Sequence, residues 1–209
     1  MNIIEKCQIK HYHSARLDQG GGESADSEKR TQAWRQGWKT DAAQLARFEV
    51  IAGLTDFNQA SVLDVGCGCG DLKAYLAQRF AGLDYIGLDL QQDFIEAATG
   101  RYKDDTNTWF HLADFSQCQL PLMDIVVACG ALSYRCENLD YYRKMIEKLY
   151  SSATRVLIFN MLDNDTFNSG PLIVSHDRKA IYQFCQAVCA NVTLKTDYLD
   201  NDFTIMMAR

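Results

Sequence analysis

The segment Val62-Leu63-Asp64-Val65-Gly66-Cys67-Gly68-Cys69-Gly70-Asp71 constrains this chain more than any other. A short apolar run with the pattern of a buried strand meets three glycines at alternate positions. It then opens a stretch carrying Leu72, Tyr75, Leu76 and Phe80 on one helical face, which Gly82 ends. Glycine permits positive φ and lacks a β-carbon, so a ligand can lie directly against such a turn. The helix behind the turn offers unpaired N–H groups and the positive end of its dipole to the same place. Strand–turn–helix units of this kind build parallel α/β sheets, which bind ligands at the carboxyl ends of their strands.

The alternation continues along the chain. A helix is expected from Asp41 to about Gly53, with Leu45, Phe48, Ile51 and Ala52 facing inward. Strands are expected at Ser61–Val65, Tyr85–Leu88 (ending at Asp89), Thr108–Leu112, Asp124–Cys129 and Arg155–Phe159. The unbroken apolar run of the fourth fits a sheet covered on both faces. Helices are read from Phe94, Ile95 and Ala98, from Tyr141, Met145, Ile146 and Leu149, and from Ile181, Phe184, Cys185 and Val188. The tail reads as strands Val192–Leu199 and Phe203–Met207, whose link Asp200-Asn201-Asp202 is short enough to permit only an antiparallel pair. Residues 1–40 have no sustained period. Gly20-Gly21-Gly22 with Glu23-Ser24 reads as a flexible or ligand-ordered loop, and Trp34 and Trp38 are large apolar groups in a polar stretch. The chain therefore divides into a leader, 1–40, able to serve as a lid, and one α/β domain, 41–209.

Bulk properties narrow the partners. With 209 residues, one domain fits and two full domains would be cramped. The net charge is −6, and the tightest basic pair is Lys29-Arg30, so no basic face for a phosphate backbone is expected and nucleic acid is a poor substrate candidate. None of the eight cysteines forms a CxxC pair, so neither a disulfide scaffold nor structural zinc is expected. His11 and His13 lack the partner pattern of a metal site. The start MNIIEKCQIKHYH has no signal-peptide core, and the longest apolar run, Ile125 to Leu132, is too short to span a bilayer. A cytoplasmic, reduced protein without membrane contact is expected.

The charges around the glycine turn select a ligand. Dinucleotide sites use GxGxxG and place a pyrophosphate at the helix end. Here the spacing is GxGxG, with Asp71 directly after Gly70 and Asp64 two residues before Gly66. Those carboxylates disfavour a pyrophosphate and favour a ligand carrying an ammonium and a sulfonium, which is S-adenosylmethionine. Asp89, at the end of the second strand, can accept hydrogen bonds from both ribose hydroxyls. Asp114 and Phe115, after the third strand, suit the adenine amino group and ring. Cys129-Gly130-Ala131 ends the fourth strand at the ligand edge, with Cys129 expected as wall because nothing nearby in sequence activates its thiol.

The segments VLDVGCGCGDL, YIGLDL, HLADF and DIVVACGALSY, in this order and spacing over residues 60–135, resemble successive motifs of the class I S-adenosylmethionine-dependent methyltransferases. The flanks Gly37-Trp38-Lys39, Gln44, Arg47-Phe48, Asp197-Tyr198 and Asp202-Phe203-Thr204 resemble a small bacterial subgroup of them. The resemblance implies a Rossmann-like α/β fold with a seven-stranded, mostly parallel sheet of order 3-2-1-4-5-7-6 and an antiparallel C-terminal strand. It carries cofactor contacts onto Asp64, Gly66, Gly68, Asp89, Asp114 and Phe115. With Cys67, Leu90, Cys129 and Arg47, the last as partner of the methionine carboxylate, these make the expected cofactor set.

The sulfonium is already an activated methyl donor, so the protein must mainly place the acceptor in line and exclude water. A catalytic dyad is therefore not required. Tyr134, Arg135 and Asn160 sit after strands four and five, where acceptors approach; Arg135 would suit an acidic acceptor, and Tyr134 or His176 could handle a proton. The Pro-Pro signature of base or glutamine amino methylation and the Pro-Cys nucleophile of pyrimidine methylation are both missing. The expectation is a small-molecule O- or N-methyltransferase releasing S-adenosylhomocysteine. A protein or RNA methyltransferase with an open cleft, and a non-catalytic cofactor-binding module, are the alternatives; a dinucleotide oxidoreductase is the outside one.

Overall fold

The computed structural model describes residues 1–19, 31–138 and 140–209. The expected Gly20–Ser24 loop and the Lys29-Arg30 pair lie outside the described residues. Strands β1 (Ser61–Val65), β2 (Asp84–Asp89), β3 (Thr108–Leu112), β4 (Met123–Ala128), β5 (Ala153–Asp163), β6 (Ser175–His176), β7 (Asn191–Lys195) and β8 (Asp202–Ala208) form one sheet. Its order is β3-β2-β1-β4-β5-β8-β7, with β6 paired parallel to the end of β5. Pairings from β3 to β5 are parallel, and β8 is antiparallel to both neighbours. The expected order holds once the two-residue β6, too short to leave a pattern, is set aside.

Side-chain alternation explains the apolar strands. Leu63, Val65, Val126, Ala128, Leu157 and Phe159 face one core, under helices α6 (Tyr141–Ser152) and α7 (Arg178–Val188). Val62, Ile125, Val127 and Ile158 face the opposite core, under α3 (Asp41–Leu54) and α4 (Asp71–Ala77). A strand buried on both faces needs apolar residues at every position, which the sequence supplies. Helix α5 (Gln92–Arg101) packs on β2 and β3. Threonine and aspartate cap two starts: Thr40 accepts from the Ala43 N–H, and Asp177 accepts from the Ala180 N–H.

Three expectations are corrected. The leader is not patternless: α1 (Ile3–Gln19) is a 17-residue helix, and α2 (Gln32–Arg35) is a short turn capped by Thr31. The inner positions of α1 are Glu5, Ile9 and His13, all buried. Their four-residue spacing is helical, but two of the three are ionisable, so hydropathy alone misses them. On α3 the inner face carries Gln44, Arg47, Phe48 and Ile51, while Leu45 is 51% exposed. The C-terminal link is longer than expected: β7 ends at Lys195, residues 196–201 connect, and Asp202 already belongs to β8. All eight cysteines are free thiols, and none of the described helices is long and apolar enough to cross a membrane.

Candidate functional site

A cavity of about 630 Å³ opens at the carboxyl edge of β1, β2 and β4, with α1 and residues 36–40 over it. The glycine turn forms its floor. Gly66, Gly68 and Gly70 have φ of +76°, +54° and +76°, the left-handed region where side chains are strained. The Gly66 and Cys67 N–H groups both donate to the Leu88 carbonyl, at 2.7 and 3.1 Å, tying the turn to the end of β2. A β-carbon on Gly66 would stand 2.8 Å from that of Ala131, so the turn and the loop after β4 meet only because glycine is there.

Two carboxylates line this floor. Asp64 is 2% exposed; its Oδ2 accepts from the Tyr85 hydroxyl at 2.5 Å, and its Oδ1 is buried with no partner among the described residues. Burial, reinforced by the negative charge of Asp89 and opposed by the Tyr85 hydrogen bond, pushes the Asp64 pKa up to about 7. Asp89 accepts from the Gly68 N–H and the Gln91 N–H, both at 2.9 Å. Its pKa is also raised, because burial outweighs the backbone N–H groups that hold it. Such an arrangement attracts a cationic donor, which relieves both carboxylates at once.

The third carboxylate of the charge argument behaves differently. Asp71 accepts from Gln32, Gln36 and Gln44 side-chain amides at 3.0, 2.6 and 3.2 Å, and from Arg101 at 2.6 Å. It is neutralised within the protein and serves as a clasp joining α2, α3 and α5 to the start of α4. Gln36 also accepts from the Cys69 N–H at 3.0 Å, and its Oε1 lies 2.1 Å from where a Gly68 β-carbon would be. The helix end where a dinucleotide would rest its pyrophosphate is thus filled by a side-chain amide.

The other sequence candidates divide. Leu90, Phe115, Cys67 and Cys129 line the cavity, the last two as buried thiols whose pKa values burial raises, which makes them wall. Asp114 also lines it, but its carboxylate is engaged by Lys6 of α1 at 2.5 Å and by Ser116, which hold its pKa low against burial. Arg47 is buried and not a solvated face. It donates through Nε at 2.8 Å and through Nη2 to Asp202, and through Nη1 to the Ala43 carbonyl, with its guanidinium 5.0 Å from the Trp38 ring. Asp202 also receives Asn160 Nδ2 at 2.9 Å and the Tyr198 hydroxyl, and Asn160 Oδ1 accepts from the Gly130 N–H at 2.7 Å. Asn160 therefore sits in the cavity wall as part of a buried network that fixes the loop after β4.

Tyr134 lines the cavity too, its hydroxyl 2.7 Å from His13 Nε2. Arg135 and His176 do not line it. The Arg135 side chain is exposed and donates to the Gly170 carbonyl at 3.0 and 2.8 Å, because the chain turns outward after Tyr134. The buried His176 ring packs on Tyr142 with centroids 4.3 Å apart and reaches the Leu132 carbonyl. Sequence reasoning missed Gln36 and Asp202 as site residues and set His13 aside as a failed metal ligand. The one available signal was the spacing of Glu5, Ile9 and His13, read as a buried helix face. No group of three acidic, histidine or cysteine residues among those described is placed to hold a metal ion.

Comparison with known proteins points the same way. Residues 63–156 match the family described as methyltransferase domain. Over that segment, and in its sheet order, the chain is similar to the class I S-adenosylmethionine-dependent methyltransferases. A candidate methyltransferase of Mycobacterium tuberculosis, Rv1506c, is 27% identical over 157 residues, covering 71% of this chain and 93% of that protein. Among solved structures, the magnesium protoporphyrin IX methyltransferase of Synechocystis PCC 6803, with S-adenosylmethionine bound, superposes with TM-score 0.67 at 19% identity over 98% of this chain and 97% of its own. The small RNA methyltransferase HEN1 matches with TM-score 0.62 at 15% identity over 80% of this chain and 25% of its own. The methyltransferase fold is thus shared by proteins whose acceptors differ widely in size.

Proposed function

We propose that the chain methylates a small molecule on oxygen or nitrogen, with S-adenosylmethionine held on the glycine turn and residues 1–40 as the lid of a methyltransferase domain that spans 41–209. The unpartnered Oδ1 of Asp64 carries the cofactor placement: a buried carboxylate oxygen without a donor, in a cavity, is the seat of an ammonium. Asp89 has acceptor capacity left for ribose hydroxyls, and Leu90 with Phe115 flanks the space for the adenine. The bound cofactor supplies a methyl on a sulfonium. This chain's residues orient it, keep water out and present an acceptor on the side of the loop after β4.

The acceptor size is argued from the roof. The cavity falls within the roughly 300–1,000 Å³ of ordinary small-molecule sites, and cofactor and acceptor must share it. Trp38 closes on Gly130, where a β-carbon would meet the indole at 2.8 Å, and Ile9 and His13 of α1 close the other side. A nucleic acid or protein segment would need an open groove there, and the net charge of −6 disfavours a phosphate backbone. The test is S-adenosylhomocysteine release over fractionated metabolite pools, with mass spectrometry for the gain of one methyl. Release with RNA or protein fractions and none with small molecules overturns the reading.

A further inference from the structure

The His13–Tyr134 contact is a pair of titratable side chains in the cavity wall that the placement of the cofactor leaves unused. His13 comes from α1 and Tyr134 from the loop after β4, 121 residues apart, and they meet at 2.7 Å between Nε2 and the phenol oxygen. His13 is buried, Tyr134 is half-buried, and both line the cavity. The His13 ring is held edge-on by Tyr12, Phe94 and Tyr134, with centroids 5.1, 5.2 and 5.8 Å away. Gly37 lies over the pair: a β-carbon there would be 3.2 Å from His13 Cε1 and 3.6 Å from the Tyr134 hydroxyl. The aromatic faces of Tyr12 and Phe94 surround the imidazole, with the Arg35 backbone beside it.

We propose that Tyr134 and His13 form a proton relay that selects an acceptor bearing a hydroxyl group, an alcohol or a phenol. The inference rests on the small-molecule reading above and names its substrate class. A neutral amine attacks a methyl through its lone pair and loses its proton afterwards, so it needs no base. A hydroxyl oxygen must shed its proton as it attacks. In that step the acceptor oxygen bonds to the methyl carbon, the carbon–sulfur electron pair stays on sulfur, and the acceptor proton passes to Tyr134 Oη. The Tyr134 proton moves at the same time to His13 Nε2, and the resulting imidazolium returns it to water when the lid opens. Tyr134 is the catalytic residue, and His13 acts through it.

The resting protonation state leaves His13 Nε2 free to accept, and the low pKa of the ring makes the proton's stay there brief. Burial drives the His13 pKa down to about 4 against the opposing pull of the Arg35 backbone, so the ring is neutral at pH 7. Burial pushes the Tyr134 phenol well above its usual value, so it passes a proton on without persisting as a phenolate.

The test uses the full chain with S-adenosylmethionine and two probe sets, simple phenols and alcohols against primary and tertiary amines. Expected is S-adenosylhomocysteine release with hydroxyl probes and a loss of about 100-fold or more in kcat for Tyr134→Phe, with S-adenosylhomocysteine affinity within twofold by calorimetry. His13→Gln keeps a hydrogen-bond acceptor at that place but no basicity, so it shows the same loss; full rescue by glutamine means a structural role and overturns the relay. Nitrogen-detected NMR of the protein loaded with S-adenosylhomocysteine should show His13 with Nε2 unprotonated, and a proton on Nε2 overturns it. Release with amines alone overturns the relay and leaves the small-molecule reading intact. Release with neither set, despite bound cofactor, overturns both.

Discussion

With the cofactor's ammonium seated on Asp64 as proposed, binding should release a proton, and the size of the effect follows from the environment of the carboxyl. It is buried, shares the cavity with Asp89 and has a pKa of about 7 in the free protein. An ammonium seated on Oδ1 favours the ionised form, so binding expels a proton and affinity rises with pH. If only ionised Asp64 binds, the apparent Kd scales as the reciprocal of the ionised fraction. That fraction falls from about nine-tenths at pH 8 to about one-tenth at pH 6, so binding weakens about tenfold, or about 1.4 kcal/mol. S-adenosylhomocysteine is the suitable ligand, because it keeps the ammonium and does not turn over. Calorimetry at pH 6, 7 and 8, in buffers of different ionisation heat, gives both the affinity and the protons released, about half a proton per site at pH 7. Asp64→Asn should bind weakly and lose most of the slope; the remainder reports Asp89, whose raised pKa acts in the same direction. Wild-type affinity that is flat across this range, or an equal slope in the Asn variant, refutes the reasoning. The same shift has a stability sign: a carboxyl raised above its unfolded value favours the native state at low pH, and that contribution is lost as pH climbs from about 4 to 7.

Further outcomes are expected from other parts of the site. Asp89→Ala removes charge-assisted acceptors worth about 1.5–3 kcal/mol each and should cost tenfold or more in S-adenosylmethionine affinity, read by calorimetry alongside an unchanged circular dichroism spectrum. Gly70→Ala places a β-carbon 2.8 Å from Phe110 and 2.9 Å from Tyr102 at φ +76°; it should destabilise the fold by about 1–3 kcal/mol in urea unfolding. Arg47→Ala strands Asp202 in the wall with its charge uncompensated, and a loss of about 3–5 kcal/mol is expected; Arg47→Lys, which cannot reproduce the Nε and Nη2 pair of bonds, should recover only part of it.

Sheet and helices were legible where burial is apolar and regular. Ser61–Val65 and Thr108–Leu112 agree residue for residue, with Gly66 ending the first and Asn107 preceding the second. Legibility fails where the buried face is polar. β5 runs on through Asn160 to Asp163, since Asn160 and Asp163 find partners in Asp202 and Arg178 that no local pattern announces. Arg47, expected to meet the methionine carboxylate, instead pairs with Asp202, which β8 brings to it from 155 residues away. The glycine turn with Asp64 was legible because it is contiguous in sequence, and Asp89 because it ends the next strand. Helix α1 and the His13–Tyr134 contact were not, because α1 hides its inner face behind ionisable side chains.

The fastening of α1 has a kinetic consequence. Glu5 holds the Glu137 N–H at 2.7 Å, Lys6 holds Asp114, the Lys10 carbonyl accepts from Gln91 at 3.1 Å, and Arg16 reaches the Trp34 carbonyl. These are single polar links to the rims of neighbouring strands, each replaceable by water at a net cost of about 0.5–1.5 kcal/mol, whereas the sheet beneath is welded by apolar packing on both faces. The helix can therefore peel away and reseat while the sheet stays folded. Opening of α1 should quicken with ionic strength through the Lys6–Asp114 pair, read as hydrogen exchange along the helix in rising salt.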